Sequence, residues 1–243
     1  MRLLVINPNT SQSITDTVSR AVGEMVPAGV EVKAVTASFG PRYIASRSAF
    51  AVASHGALDA YATHGAGADA VLLACFGDPG LDALREISPV PVIGLVEAAA
   101  AEAAAHGGAF AIVTGGALWG PMLEETLRAR GLADRCAAIR TVAPNGAAIA
   151  ADPDGAADML ATACRNVVRE TGARCVILGG AGLVGLAARI GKMSPVPVIC
   201  SVEAGARAAI GKLGCAETPE ARREPVDCVG VSAALARALG ARP

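Results

Sequence analysis

The chain has few aromatic residues and few charged ones. Of its 243 residues, 3% are aromatic and 18% are charged, whereas 53% are hydrophobic. Intrinsic disorder is excluded, because a disordered chain combines low hydrophobicity with high charge. Alanine (54) and glycine (28) together make up a third of the chain. We therefore expect one large or two small domains with a core of small and aliphatic side chains.

The sequence has no excess of either charge. Its 21 Lys and Arg residues are balanced by 22 Asp and Glu residues, and the formal net charge is −1. The nearest approach to a basic cluster is Arg222-Arg223. A nucleic-acid-binding protein needs a basic patch to neutralise phosphates, so we expect no nucleic-acid partner.

Long hydrophobic runs are also missing. The most apolar stretch, 90–105, is interrupted by Glu97 and Glu102, and a spanning helix needs about 20 predominantly apolar residues. The first apolar run, Leu3-Leu4-Val5-Ile6, is too short for a signal peptide. The sequence therefore predicts no membrane partner and a cytoplasmic location.

The seven cysteines do not form a metal-binding pattern. They are widely spaced, with no Cys-x-x-Cys pair and no neighbouring histidine, so we expect no metal site. Most are expected to be small buried hydrophobic residues. The cysteines are Cys75, Cys136, Cys164, Cys175, Cys200, Cys215 and Cys228.

Short apolar runs alternate with helical patterns along the whole chain. This alternation predicts an α/β fold with parallel sheets. The predicted strands are 2–6, 30–35, 71–74, 90–95, 110–114, 137–142, 175–178 and 196–200. The predicted helices are 11–25, 47–66, 81–86, 97–106, 119–130, 154–171, 183–190, 202–213 and 229–239.

An internal repeat divides the chain into two related parts. The segment Ser-Pro-Val-Pro-Val-Ile occurs at 88–93 and again at 194–199, an offset of 106 residues. A period of this length is too long for a solenoid. We predict two homologous parallel-sheet halves related by a pseudo-twofold axis, with the active site in the cleft between them. The first half is expected at 1–95 plus 205–243 and the second at 96–204, with the chain crossing between them.

Three loops follow predicted strands, where ligands of parallel α/β sheets bind. They are 7–11, 75–80 and 179–182, and the last two are expected to face each other across the cleft. Cys75 begins a loop that leads into a predicted helix, whose N-terminus would lower the pKa of a thiol and make it reactive. A packed cysteine at the end of a strand is the alternative.

The motifs in these loops resemble a known family. Val5-Ile6-Asn7-Pro8-Asn9-Thr10-Ser11, Ala74-Cys75-Phe76-Gly77-Asp78-Pro79-Gly80 and Leu178-Gly179-Gly180-Ala181-Gly182 are similar to those of the aspartate/glutamate/hydantoin racemase superfamily, and most of all to hydantoin and allantoin racemases. The resemblance implies a homo-oligomeric, cofactor-independent racemase or isomerase of a hydantoin, amino acid or related carbonyl compound. In this chemistry two cysteines flank the α-carbon and exchange its proton.

The resemblance also implies roles for individual residues. Cys75 corresponds to the first catalytic cysteine. The expected substrate-binding residues are Asn9, Thr10, Tyr43, Phe76, Gly77, Thr114, Gly180 and Ala181. Within this set, Phe76 and Gly77 are expected to contribute backbone N–H groups, and Tyr43 to lie on a loop that covers the substrate.

One position departs from the family pattern. The second catalytic cysteine is expected at position 180, where this chain has glycine. Cys200 or His55 could supply the second acid. Alternatively, the protein could be a single-cysteine decarboxylase or amide hydrolase, or a non-catalytic paralogue that binds a small ligand.

Overall fold

Two four-stranded parallel sheets form the centre of the molecule in the computed structural model, which describes residues 1–143, 145–215, 226 and 228–240. The first sheet contains β1 (Arg2–Asn7), β2 (Glu31–Thr36), β3 (Ala70–Leu73) and β4 (Val92–Gly94). The second contains β5 (Phe110–Gly115), β6 (Cys136–Val142), β7 (Cys175–Gly179) and β8 (Val198–Cys200). The strand orders are β2-β1-β3-β4 and β6-β5-β7-β8.

The two sheets therefore have the same topology, which confirms the predicted fold of two related halves. The β3 and β7 strands occupy corresponding positions, as do β4 and β8, and the first residues of β4 and β8 are separated by the offset of 106 found in the sequence. The strands at the centre of each sheet are continuously buried, as expected for parallel strands covered on both faces.

Ten α-helices lie around these sheets in the part of the chain that the structure describes. Their bounds are α1 (Gln12–Gly23), α2 (Arg47–His64), α3 (Leu81–Ile87), α4 (Leu95–Ala104), α5 (Trp119–Ala129), α6 (Gly146–Ala151), α7 (Pro153–Thr171), α8 (Ala187–Gly191), α9 (Ser201–Ile210) and α10 (Ala233–Ala238). No helix in the described residues is long and apolar enough to cross a membrane.

Two helices each follow a strand of one half and pack against the sheet of the other half. The α4 helix continues from the first sheet and packs against β7 of the second, whereas α9 continues from the second sheet and packs against β3 of the first. The α4 and α9 helices also pack on each other, and a Cβ on Gly205 would lie 2.5 Å from Leu95 Cδ2. Small residues thus allow these two helices to approach closely. The predicted boundaries of the halves at residues 95 and 205 stay a prediction.

Most predicted elements are present, and the differences have local causes. The α6 helix was not predicted from the sequence. Its N-cap is Asn145, whose side chain accepts a hydrogen bond from the Ala148 N–H at 2.9 Å. The predicted helix 183–190 is instead a 3₁₀ turn at Ala181–Leu183 followed by α8. The final predicted helix, 229–239, is confined to Ala233–Ala238.

Candidate active site

A cavity lies between the two sheets, at the carboxyl ends of β1, β3, β5 and β7. Seven predicted site residues line it: Asn9, Tyr43, Cys75, Phe76, Thr114, Gly180 and Ala181. Four large apolar side chains that were not predicted from the sequence also line it: Ile14, Ile44, Trp119 and Leu183. The cavity volume is about 50 Å³. Since one water needs about 10–15 Å³, an occupant must be small or must displace lining side chains.

Cys75 lies at the floor of this cavity, directly after β3. Its N–H donates to the Leu73 carbonyl at 3.0 Å, and its own carbonyl accepts from the Asp78 N–H at 3.1 Å. Only 8% of Cys75 is exposed. Burial, and secondarily the nearby Asp78 carboxylate, raise the pKa of the Cys75 thiol.

The predicted lowering of the Cys75 pKa is therefore wrong. The α3 helix begins at Leu81, and Asp78 stands between it and Cys75. A negative charge beside the thiol and the loss of solvent both disfavour the thiolate.

Asn9 presents a hydrogen-bond donor to the cavity. Its side-chain Oδ1 accepts from the Ser11 N–H at 2.8 Å and from Asn7 Nδ2 at 3.0 Å. The Ser11 N–H can only donate, so these bonds fix which end of the Asn9 amide carries the oxygen. Asn9 Nδ2 has no partner within the described residues and is available to a carbonyl oxygen of a ligand.

Thr10 and Tyr43 hold a neighbouring loop in place. The Thr10 N–H donates to the Pro41 carbonyl at 3.0 Å, and Thr10 is not among the cavity-lining residues. Tyr43 lines the cavity, and its hydroxyl donates to the Gly115 carbonyl at 3.3 Å. The loop after β2 is thereby joined to the end of β5 in the other half.

Aromatic rings pack against glycine backbones on both sides of the cleft. The Phe76 ring lies against Gly179, where a Cβ would be 2.9 Å from Phe76 Cζ and closer to Cε1 and Cδ1. Trp119 lies against Gly77, where a Cβ would be 2.5 Å from the indole. Gly77 itself lines a different cavity, formed with Phe50, Met122 and Arg130 among others. The ring of Phe76 thus packs at the junction of the halves.

Gly180 faces Cys75 from the second half. Its backbone has φ +137°, and its N–H donates to Ser201 Oγ at 3.2 Å. Among the described residues, only Leu183 Cδ1 (3.1 Å) and Thr114 Oγ1 (3.9 Å) come within 4 Å of the position that a Cβ would take. This face of the cavity therefore presents one hydroxyl and no thiol.

The sequence profile of the Asp/Glu/Hydantoin racemase family matches residues 3–209. The chain belongs to this family. It is 36% identical to the hydantoin racemase of Paenarthrobacter aurescens over 86% of this chain and 89% of the relative. It is 31% identical to the hydantoin racemase of Pseudomonas sp. (strain NS671), over 85% of this chain and 84% of that one.

Solved structures of racemases have the same fold. The allantoin racemase of Pseudomonas fluorescens superposes with a TM-score of 0.88 at 29% identity, covering 95% of this chain and 100% of that one. The allantoin racemase of Klebsiella pneumoniae gives 0.81 at 32% identity, covering 87% and 86%. The protein is thus a racemase of this superfamily.

Neither alternative second acid lines the cavity of this racemase. Cys200 is buried, and this burial raises the pKa of its thiol to about 11. The His55 ring packs edge-on against Phe39, with centroids 4.7 Å apart. Both side chains therefore contact protein groups away from the Cys75 cavity.

The described residues of this racemase contain no cluster of three His, Cys, Asp or Glu side chains that could hold a metal ion. Of the cavity-lining residues, only Cys75 and Tyr43 carry a proton that can ionise. Lysine, arginine, histidine and carboxylate side chains are absent from the cavity lining in the described part of the chain.

Proposed function

We propose that this racemase inverts the α-carbon of a neutral cyclic amide such as a 5-substituted hydantoin, without a cofactor, and that Cys75 exchanges the α-proton. The observation that supports Cys75 is its place in the cavity. Cys75 supplies a thiol to the cavity lining in the described part of the chain. The other ionisable group there is the Tyr43 hydroxyl, which donates a hydrogen bond to the Gly115 carbonyl.

The described residues that line the cavity carry no formal charge, which favours a neutral substrate. A free amino acid or a malonate would bring a carboxylate, and burying a carboxylate without a cationic partner is costly. A hydantoin ring brings only carbonyl and N–H groups. Asn9 Nδ2 can donate to a ring carbonyl, and the Thr114 hydroxyl can donate or accept.

The proposed reaction has two proton transfers. The Cys75 thiolate removes the α-proton and becomes a thiol, while the electron pair of the C–H bond moves to the adjacent carbonyl as an enolate. Hydrogen-bond donors such as Asn9 Nδ2 stabilise the oxygen charge. Delivery of a proton to the opposite face gives the other enantiomer, and Cys75 then returns its proton to solvent.

The proton for the opposite face must come from a source other than a cysteine at position 180. The point where a side chain at Gly180 would begin is 3.9 Å from Thr114 Oγ1. We propose that Thr114 orients a solvent proton donor on this side. Racemisation through this route is expected to be slower on the Gly180 side than on the Cys75 side.

Turnover of one hydantoin enantiomer in D₂O tests the proposal. We expect deuterium at the α-carbon of both recovered substrate and product, with no other change in mass. Cys75→Ala is expected to abolish exchange, whereas the matched control Cys200→Ala, at a buried cysteine outside the cavity, retains it. Full turnover by Cys75→Ala would overturn the proposal.

A second candidate function follows from the single thiol. An enzyme with one proton donor can protonate an enolate from one face, as a decarboxylase of malonate-type substrates would, or open a cyclic amide by thiol attack. The Gly180 face favours this possibility, whereas the uncharged cavity disfavours the malonate. Release of CO₂ or addition of water in a substrate screen would replace the racemase proposal.

Assembly and location stay predictions. We expect a homo-oligomer, which light scattering of the purified protein would test, and a cytoplasmic location, which fractionation of the source cells would test.

A further inference from the structure

Asp78 has an unusual backbone conformation beside the candidate catalytic thiol. Among the described residues it is the only non-glycine residue with positive φ, at 56°. It is also buried, with 3% of its surface exposed. Aspartate tolerates the left-handed region better than most residues, but such strain persists only where the surrounding structure fixes it.

The Asp78 side chain joins the Cys75 loop, residues 75–80, to the start of α4. Its carboxylate oxygens accept the Val96 N–H at 3.1 and 3.2 Å. The approach is close enough that a Cβ on Gly94 would lie 2.5 Å from the carboxyl carbon. At the other end of the turn, the Asp78 N–H donates to the Cys75 carbonyl.

The second half also joins its loop to the following helix, but with the donor and acceptor roles of loop and helix reversed. There the helix supplies the side chain: Ser201, the first residue of α9, accepts the Gly180 N–H at 3.2 Å. A neutral hydroxyl thus holds the loop that lacks a cysteine, whereas a carboxylic acid holds the loop that has one. The two halves therefore fix these loops with side chains of different charge.

Charged groups face Asp78 from three sides. Glu97 of α4 pairs with Arg85 of α3 at 2.6 Å and with Arg130, which follows α5, at 3.2 Å. Arg130 also pairs with Asp82 at 2.5 Å. Burial, followed by the Glu97 charge, raises the pKa of Asp78 to about 7, although its hydrogen bond from Val96 acts in the opposite direction.

We propose, on the basis of the function proposed above, that Asp78 is a positioning residue for Cys75: it fixes the Cys75 loop to α4, and its charge controls how readily the Cys75 thiol loses its proton. A thiolate and a carboxylate on one short turn repel each other. The thiolate therefore forms most easily while Asp78 holds its proton, and the two groups titrate as a coupled pair.

Alkylation of Cys75 by iodoacetamide, followed over pH by mass spectrometry of its peptide, tests this without requiring turnover. Peptide resolution is needed because the chain has seven cysteines. In the wild-type protein we expect the logarithm of the alkylation rate to rise with pH in two steps. The ionisation of Asp78 separates the steps, because the new carboxylate makes the Cys75 thiolate harder to form. A single step would overturn the proposal, and this measurement needs no variant.

Asp78→Asn keeps an oxygen acceptor and tolerance of the left-handed conformation while removing the charge. We expect the alkylation rate of this variant to rise in a single step whose midpoint lies about 1 pH unit lower. The acid limb of the pH profile of kcat should move to lower pH by the same amount, with KM little changed. The matched control is Asp59→Asn, at a buried aspartate of α2 that hydrogen-bonds Ser38, and it should retain the wild-type curves.

A folded Asp78→Asn protein with lower kcat at every pH and an unmoved alkylation midpoint would show that Asp78 only supports the loop. That outcome is distinct from failure of the proposed function, which would appear as full turnover by Cys75→Ala whatever the alkylation curves show.

Discussion

The contact between the Phe76 ring and Gly179 yields a quantitative prediction about the junction of the halves. Gly179 lies in β7 with a backbone conformation open to any residue, so Gly179→Ala adds only the methyl group. That methyl would overlap the Phe76 ring. Overpacking of a filled core costs about 1–3 kcal/mol, whereas Phe76→Ala alone, which removes a buried ring, costs about 3–5 kcal/mol.

Urea denaturation of the two single variants and the double variant measures the coupling. Removing the ring makes room for the methyl, so the double variant should be less destabilised than the sum of the singles by about 1–3 kcal/mol. Gly23→Ala is the control, because nothing lies within 4 Å of the added methyl there. Additive effects of Gly179→Ala and Phe76→Ala would refute the contact as the reason for glycine at 179.

Two further predictions concern single residues. The raised pKa of Asp78, about 7 against about 3.9 in an unfolded chain, means that the folded state binds the extra proton. The contribution of Asp78 to stability is thus greatest below about pH 4 and falls by up to about 4 kcal/mol as the pH rises to 7. Asp78→Asn should remove this component of the difference in unfolding free energy between pH 5 and pH 8. Asn9→Asp replaces the cavity donor with an acceptor and should lower kcat/KM about a hundredfold with an unchanged circular-dichroism spectrum; near-normal kcat/KM would exclude Asn9 from substrate binding.

The fold could be predicted because its signals are repeated. Each buried parallel strand is a short apolar run, and the duplicated Ser-Pro-Val-Pro-Val-Ile segment relates β4 to β8 without any structural information. Both features depend on local sequence and on the preference of buried strands for aliphatic residues. The packing of α4 on β7 and of α9 on β3 joins segments that are distant in the sequence. Local sequence patterns therefore did not predict the geometry of this packing.

The site was less predictable, because burial and neighbouring charge are properties of the folded chain. The spacing between Cys75 and α3 indicated a helix N-terminus, but the left-handed turn at Asp78 places a carboxylate beside the thiol. Similarly, the motif Asn9-Thr10 shows two polar residues, and only the hydrogen bonds distinguish the one that lines the cavity. The adjacent glycines Gly179 and Gly180 were the sequence signal that a bulky group packs against this loop. The structure shows that the Phe76 ring packs against Gly179.

Gly180 provides the sharpest test of how this racemase differs from a two-thiol enzyme. Its φ of +137° is strained for any residue with a side chain, so Gly180→Cys and Gly180→Ala should each lose about 1–3 kcal/mol of stability. The added Cβ would also press on Leu183 Cδ1 at 3.1 Å. The loss should be similar in the two variants, because both have the same Cβ.

Only Gly180→Cys adds a proton donor opposite Cys75. If solvent oriented by Thr114 is the slow donor on that face, Gly180→Cys should racemise faster than Gly180→Ala, and it should exchange the α-proton of both enantiomers at similar rates in D₂O. Equal rates in the two variants would mean that a thiol at this position cannot reach the α-carbon. The loop at 179–182 would then hold the substrate in a different register from the Cys75 loop, and the two halves would have diverged in geometry as well as in sequence.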